Sequence, residues 1–231
     1  MWPHSPLGGI AVLALSHALI LYPTLRPNVQ WLGDVITHFD TPRKEVWLTI
    51  DDGPTDDTRA LLDSFAARGV KATFFVKGTL ASQHRELVEE MLARGHSVAN
   101  HSETHPAGSF WCSPPARIAN EIEGCNRALA EITGATPRWF RAPVGMKNPF
   151  VHPALARRGM RLIGWTARAF DAVVSDPEEI AARILPRLRP GAIIVLHQGR
   201  AHSLPSLERV IDAVHERGYA FVIPDDAQLR A

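Results

Sequence analysis

From residue 46 to the C-terminus, short apolar runs alternate with longer amphipathic segments, and glycine or proline stands at most junctions. The apolar run 46–50 reads as a strand. A helix over about 56–68 follows and is stopped by Gly69. Residues 72–76 give a second strand, and 83–94 a helix ending at Gly95. Ser97-Val98-Ala99 is a short third strand running into Asn100, and 106–114 is a loop. A helix over 115–132 stops at Gly134, 138–140 is a fourth strand, 149–158 is helical and 161–164 is a fifth strand. Asp176-Pro177-Glu178-Glu179 starts a helix, with Asp as cap and Pro at the first position. Residues 192–196 form an unbroken apolar strand of the fully buried type. A helix over 203–217 and a strand over 220–223 complete the pattern. Seven strands alternating with helices predict a parallel βα architecture, open sheet or barrel.

Two stretches stand outside this alternation. Leu7 to Leu21 is mostly apolar, preceded by no Lys or Arg and followed by no small-x-small cleavage pattern. Residues 1–25 are therefore expected to be a membrane-anchoring segment, against the alternative of a helix packed on the domain. Residues 26–44, with Pro27, Asn28, Gly33 and Pro42, read as a linker or irregular cover, and 45–231 as the domain. The nearest basic residues, Arg26, Arg43 and Lys44, follow the apolar run. Taken literally, the positive-inside rule then faces the domain to the cytoplasm, whereas an envelope glycan requires an exported domain.

Composition narrows the function classes. With 231 residues and net charge +1, the chain has the size of one large domain and no electrostatic case for nucleic acid. Eleven histidines favour a metal or acid–base site. The two cysteines, Cys112 and Cys125, lack metal spacing, and either a disulfide or two thiols fits them. Oligomeric state is not written in the pattern.

The chemistry gathers where strands end, which in βα folds is where active sites lie. Asp51 and Asp52 follow the first strand, and Gly53-Pro54 turns the chain there. Thr55 is expected to cap the next helix, with Asp56 and Asp57 in its first turn. Asn100, His101 and His105 follow the third strand, Arg141 the fourth, Asp171 the fifth and His197 the sixth. A helical turn across His101-Ser102-Glu103-Thr104-His105 would set both imidazoles on one side, and a carboxylate completes a two-His, one-acid site. Such a triad serves zinc hydrolases and non-haem iron oxygenases alike. The second Asp as base and His197 as acid favour hydrolysis, with Arg141 holding the base and Asp171 tuning His197.

Taken together, these motifs resemble the polysaccharide deacetylases, the NodB-homology or family 4 carbohydrate esterases. The likeness runs from Glu45 to the C-terminus. It rests on Thr49-Ile50-Asp51-Asp52-Gly53-Pro54, His101-Ser102-Glu103-Thr104-His105, Arg141-Ala142-Pro143-Val144-Gly145 and Val195-Leu196-His197-Gln198. The resemblance implies a distorted, incomplete (β/α)7 barrel, here preceded by a hydrophobic helix. It implies Asp51 as base to a water on the metal, and Asp52, His101 and His105 as ligands of zinc, cobalt or another divalent ion. It implies Arg141 on Asp51, Asp171 on His197, and His197 as general acid. Pro143, Val144, Gly145, Leu196 and Trp165 are the expected oxyanion and substrate contacts, the Val144 N–H serving the oxyanion.

Three departures fall on the substrate side: Val144 replaces an aromatic residue, Ala172 a Trp and Gln198 an Asp. The implied activity is removal of N-acetyl, or O-acetyl, groups from amino sugars of a glycan at the cell envelope. The rival readings are an amidase acting on small non-sugar amides and a non-catalytic carbohydrate-binding relic.

Overall fold

The computed structural model describes residues 6–231, so the first five positions of the expected anchor lie outside the described residues. The strands are β1 (Val35–Ile36), β2 (His38–Phe39), β3 (Glu45–Gly53), β4 (Ala72–Val76), β5 (Ser97–Asn100), β6 (Trp139–Phe140), β7 (Arg161–Ile163), β8 (Ala167–Arg168), β9 (Ala192–His197), β10 (Ala220–Phe221) and β11 (Leu229–Arg230). The α-helices are α1 (Pro6–Leu25), α2 (Thr58–Ala67), α3 (Gly78–Gln83), α4 (Arg85–Ala93), α5 (Pro115–Thr133), α6 (Val151–Ala156), α7 (Pro177–Ile184) and α8 (Ser203–Glu216).

One sheet runs β1-β7-β6-β5-β4-β3-β9-β2-β11, with β10 on β3 and β8 on β9. Its parallel part is a distorted α/β barrel, and only β2 pairs antiparallel, with β9 and β11. All seven expected strands are present. The helix expected over 83–94 is α4, and a short helix the sequence pattern does not show, α3, precedes it and meets it at His84. The helix expected from Asp176 ends in a 3-10 turn at Leu185–Arg187, where Pro186 cannot supply the next N–H. Residues 26–44, read as linker or cover, contribute β1 and β2, which join β7 and β9. Val35, Ile36 and Phe39 are too few apolar residues to stand out as strands between Gly33 and Pro42.

Strand alternation sorts the core into layers. Val46, Leu48 and Ile50 of β3, with Phe74 and Val76 of β4 and Ile194 and Leu196 of β9, face the helices. Trp47, Phe75, Ile193 and Val195 point the other way, into the barrel, with Trp139 and Trp165. The inward register of β3 continues through Thr49 to Asp51, and that of β9 ends at His197, whose Cα is paired with Asp51. A third cluster under α5 and α6 includes Phe110, Ile118 and Phe140. Cys112 is exposed and Cys125 buried, and both are free thiols.

Helix α1 is apolar on every side. Leu7, Ile10, Leu13 and Leu19 are exposed, while Pro23 and Thr24 alone are buried. Its 20 residues suffice in length and composition to cross a bilayer. Its C-terminal end is fastened to the domain. The fully buried Lys147 donates from Nζ to the carbonyls of Pro23, Arg26 and Pro27 at 3.3, 3.1 and 2.7 Å. An ammonium has three N–H donors, and here each finds a carbonyl. Burial pulls its pKa down to about 8. Asn28 Nδ2 adds a bond to the Trp165 carbonyl at 2.8 Å.

Candidate active site

Adjacent residues of a regular strand point to opposite faces, yet Asp51 and Asp52 share one cleft. The cause is a bulge in β3. Register with β4 shifts between Asp51 and Gly53, and Asp52 takes a left-handed φ of 77°. The bulge re-aims the second carboxylate. Thr55 is not the helix cap: Asp57 stands at that position, and the Thr55 hydroxyl donates to its carboxylate.

The two histidines meet without the helical turn the sequence suggests. Residues 101–105 form a loop, with Ser102 at φ 68° and His105 at φ 53°. Buried side chains hold it in place. Asn100 Oδ1 accepts from Ser102 N at 2.7 Å, and Ser102 Oγ from His105 N at 3.0 Å. Glu121 of α5 accepts from the backbone N and hydroxyl of Thr104 at 2.9 and 2.7 Å. His101 Nδ1 donates to the Arg141 carbonyl at 2.9 Å, which fixes its tautomer and frees Nε2 for the cleft.

Donor atoms of Asp52, His101 and His105 lie within 4.8 Å of one another. Asp52 Oδ1 is 4.0 Å from His101 Nε2 and 3.5 Å from His105 Nε2. That oxygen is buried and has no aligned hydrogen-bond donor, although Lys77 Nζ is 3.2 Å away. Burial pushes the His101 pKa down, opposed by Asp51 and Asp52, and brings His105 to about 4. Burial works against ionisation of Asp52, but positive charge from His101, Lys77 and His105 wins and holds it at about 2. Neutral imidazoles and an ionised carboxylate are the forms that bind a divalent ion, so this donor set fits one.

Asp51 and Arg141 form a buried ion pair, Arg141 Nη1 lying 2.7 Å from Asp51 Oδ1. The same nitrogen donates to Thr49 Oγ1 at 2.8 Å, and Nη2 to the Gly164 carbonyl at 2.9 Å. The guanidinium lies 4.1 Å over the Phe75 ring. Asp51 Oδ2 is left facing the cleft, 3.7 Å from His101 Nε2 and 4.0 Å from His197 Nε2. Asp171 grips His197 twice, accepting from its backbone N at 2.7 Å and from ring Nδ1 at 2.9 Å. Burial opposes charge on His197, but Asp171, Asp51 and Asp52 together raise its pKa.

A cleft of about 190 Å³ joins Asp51, Asp52, His101, His105 and His197, walled by Val144, Gly145, Trp165 and Ala172. Val144 sits in the left-handed region at φ 51° within the 3-10 turn Pro143–Gly145, and the residue is 38% exposed. Two expected contacts lie elsewhere. Pro143 is buried at the start of that turn and does not line the cleft. Leu196 packs on the helix side of β9, and Val195, one step away on the inward face, takes its place. Gln198 is buried beneath the site, accepting from the Thr58 hydroxyl at 2.8 Å and filling the space where a Gly53 Cβ would stand.

The sequence reading also missed Thr49, Lys77, Arg168 and Arg200, of which the arginines line the cleft. Thr49 is legible by period two from Asp51, and Lys77 stands immediately after β4 like the other strand-end residues. Nothing local marks Arg168 or Arg200.

The sequence matches the family described as polysaccharide deacetylase over residues 38–163. A chitooligosaccharide deacetylase of Bradyrhizobium sp. is 34% identical, over 76% of this chain and 87% of its own. The peptidoglycan-N-acetylglucosamine deacetylase PgdA of Listeria monocytogenes is 30% identical over 79% of this chain and 38% of its own. Among solved structures, a family 4 carbohydrate esterase from Streptomyces lividans, in complex with acetate, superposes with TM-score 0.74 at 29% identity. It covers 82% of this chain and 97% of that one. A family 4 pseudoenzyme from Bacillus anthracis superposes with TM-score 0.73 at 25% identity, over 80% and 65% of the two chains. With the Asp-His-His cluster, the paired second Asp and the motif-bearing sequence on one barrel rim, the chain belongs to the polysaccharide deacetylase family, the NodB-homology carbohydrate esterases of family 4.

Proposed function

We propose that this protein is a metal-dependent hydrolase that removes acetyl groups from N-acetylated amino sugars of an oligo- or polysaccharide. The observation that carries this reading is the convergence of the Asp52, His101 and His105 donor atoms with two separately held proton-transfer groups. Asp52, His101 and His105 would hold a divalent ion, for which zinc is the first candidate given two imidazoles and one carboxylate. When bound, such an ion polarises the acyl oxygen and acidifies water.

Asp51 receives the proton of the attacking water through Oδ2, because its other oxygen is tied to Arg141. Attack forms the C–O bond and puts negative charge on the acyl oxygen; the C–N bond then breaks as His197 Nε2 protonates the departing amine, giving acetate and a free amino group. Asp171 holds His197 with its proton-bearing Nε2 toward the cleft. The Val144 N–H donates to the acyl oxygen as it gains charge. Trp165 and Val195 flank the acetyl methyl, and Ala172 leaves the cleft open on one side.

The test pairs turnover with metal content. Asp51→Asn should abolish acetate release from N-acetylchitooligosaccharides while the purified protein keeps one equivalent of metal. Near-normal turnover by that variant would sink the assignment. We further propose that α1 anchors the domain to a membrane at the cell envelope, supported by its exposed apolar surface. A compartment reporter fused after residue 45 reads its topology.

A further inference from the structure

A second cavity of about 640 Å³ adjoins the catalytic cleft and shares Trp165 and Arg168 with it. Three arginines from three separate segments line it: Arg26 just beyond α1, Arg168 on β8, and Arg187 in the 3-10 turn after α7. No Asp or Glu is among its lining residues, and none of the three arginines pairs with a carboxylate among the described residues. Arg59, Arg68, Arg94 and Arg158, by contrast, each hold an acidic partner. Arg168 is half-buried. Its guanidinium lies 4.4 Å from the Phe170 ring centroid and 5.3 Å from that of Trp165. Stacking occupies its faces and leaves its N–H edge for an acceptor.

We propose that this cavity is an anion subsite that takes a phosphate group carried by the acetylated saccharide. This rests on the deacetylase reading above and names its substrate class. Arg168 stands at the junction of cleft and cavity with no direct ion pair, Asp171 and Asp51 acting on it only at longer range. The cavity itself offers no carboxylate, and forked guanidinium groups match phosphate oxygens. The cationic cluster is local, three arginines around one cavity in a chain of net charge +1, which suits a single anionic substituent on the substrate. The anion sits beside the reacting acetyl, because Trp165 and Arg168 line both cavities.

The source of the phosphate follows from α1. Tyr22 and Leu25, near its C-terminal end, form part of the cavity wall. The Lys147 clamp and the Asn28 bond fix that end against the domain, so the cavity lies at the foot of the exposed apolar helix. A bilayer holding α1 places the cavity at headgroup depth, where the phosphate of a lipid-linked sugar resides.

The test uses the full-length, metal-loaded protein and three substrates with the same N-acetylated disaccharide: neutral, 1-phosphorylated, and linked through diphosphate to a polyprenyl tail in phosphatidylcholine vesicles. We expect kcat/KM to be about tenfold or more higher for the phosphorylated forms, carried by KM and reduced by salt. In the R26Q/R187Q double variant this advantage should vanish while turnover of the neutral disaccharide is unchanged. Equal kcat/KM for neutral and phosphorylated disaccharides would overturn the subsite, as would equal losses on both in the double variant. A calorimetric titration of the Asp51→Asn variant separates this from the deacetylase reading. Tighter binding of the 1-phosphate without any turnover by wild type would sink the deacetylation and keep the subsite. Turnover of the neutral disaccharide with no gain in binding from phosphate would do the reverse. A vesicle-bound substrate faster than the soluble 1-phosphate identifies the lipid-linked source, and equal rates identify a soluble sugar phosphate in the same subsite.

Discussion

Replacement of Asp171 by Asn isolates what one charge contributes to His197, the proposed general acid. The carboxylate accepts two hydrogen bonds from His197, at 2.7 Å from the backbone N and 2.9 Å from ring Nδ1. Asn keeps the shape and one acceptor oxygen but removes the charge. A hydrogen bond to a charged partner is worth about 1.5–3 kcal/mol net, and a neutral one about 0.5–1.5 kcal/mol. The imidazolium therefore loses roughly 1–2 kcal/mol of support, which is about one pKa unit. His197 has its pKa raised, with Asp171 foremost among the groups that raise it, and the variant moves it back down. In its proposed role of general acid, His197 works only while protonated, so the alkaline limb of kcat/KM should shift to lower pH by about one unit. Above the limb the rate falls about tenfold, whereas near pH 6 it changes far less. The assay is acetate release from an N-acetylchitooligosaccharide between pH 5 and 10. NMR titration of the His197 ring in wild type and variant provides a reading independent of turnover. An alkaline limb and a ring titration that both stay in place would refute the argument.

Other perturbations test other parts of the structure. Arg141→Met removes the partner of a buried carboxylate that is 4% exposed, and should cost about 3–5 kcal/mol in urea unfolding together with nearly all activity. Lys147→Met leaves the carbonyls of Pro23, Arg26 and Pro27 without a donor, at about 2–4 kcal/mol and roughly 5–15 °C in Tm. Amide exchange should quicken first around residues 24–29. Burial holds His96 at about 4, and its Nδ1 accepts from Ala72 N at 3.1 Å, so protonation both charges a buried ring and removes an acceptor. The folded state thus binds fewer protons than the unfolded chain between pH 6.5 and 4, and stability should fall across that window. The loss is about 1–2 kcal/mol after allowance for partial solvent access, and His96→Gln should flatten the fall. Lys77→Met removes the cation 3.2 Å from Asp52 and should tighten zinc binding several-fold in a competition titration, a gain that an inert surface lysine would not produce.

The sequence made most of the site legible because strand-end chemistry is written in short motifs. Asp51, Asp52, His101, His105, Arg141, Asp171 and His197 each lie immediately beyond or near an apolar run, and the fold brings all seven to one rim. What stayed hidden depends on conformations that motifs do not encode. The bulge that turns Asp52 beside Asp51 is a left-handed residue inside a strand, and the loop carrying both histidines needs two more. Backbone of that kind is held by its surroundings: Asn100, Ser102 and Glu121 tie the histidine loop down from strand, loop and helix. Leu196 was misplaced for the opposite reason, because motif reading ignored a regularity. Alternation along β9 sends Val195 and His197 inward and Leu196 outward. The strands β1, β2, β8 and β11 have no apolar run of their own to mark them, yet their consequence is large. Through β1, β2 and the Lys147 clamp, the segment after α1 is part of the barrel rather than a tether. An apolar helix joined to a rigid domain transmits orientation, whereas one on a flexible linker sets only concentration. Any membrane that holds α1 therefore also fixes the direction in which the cleft and its arginine-lined neighbour open.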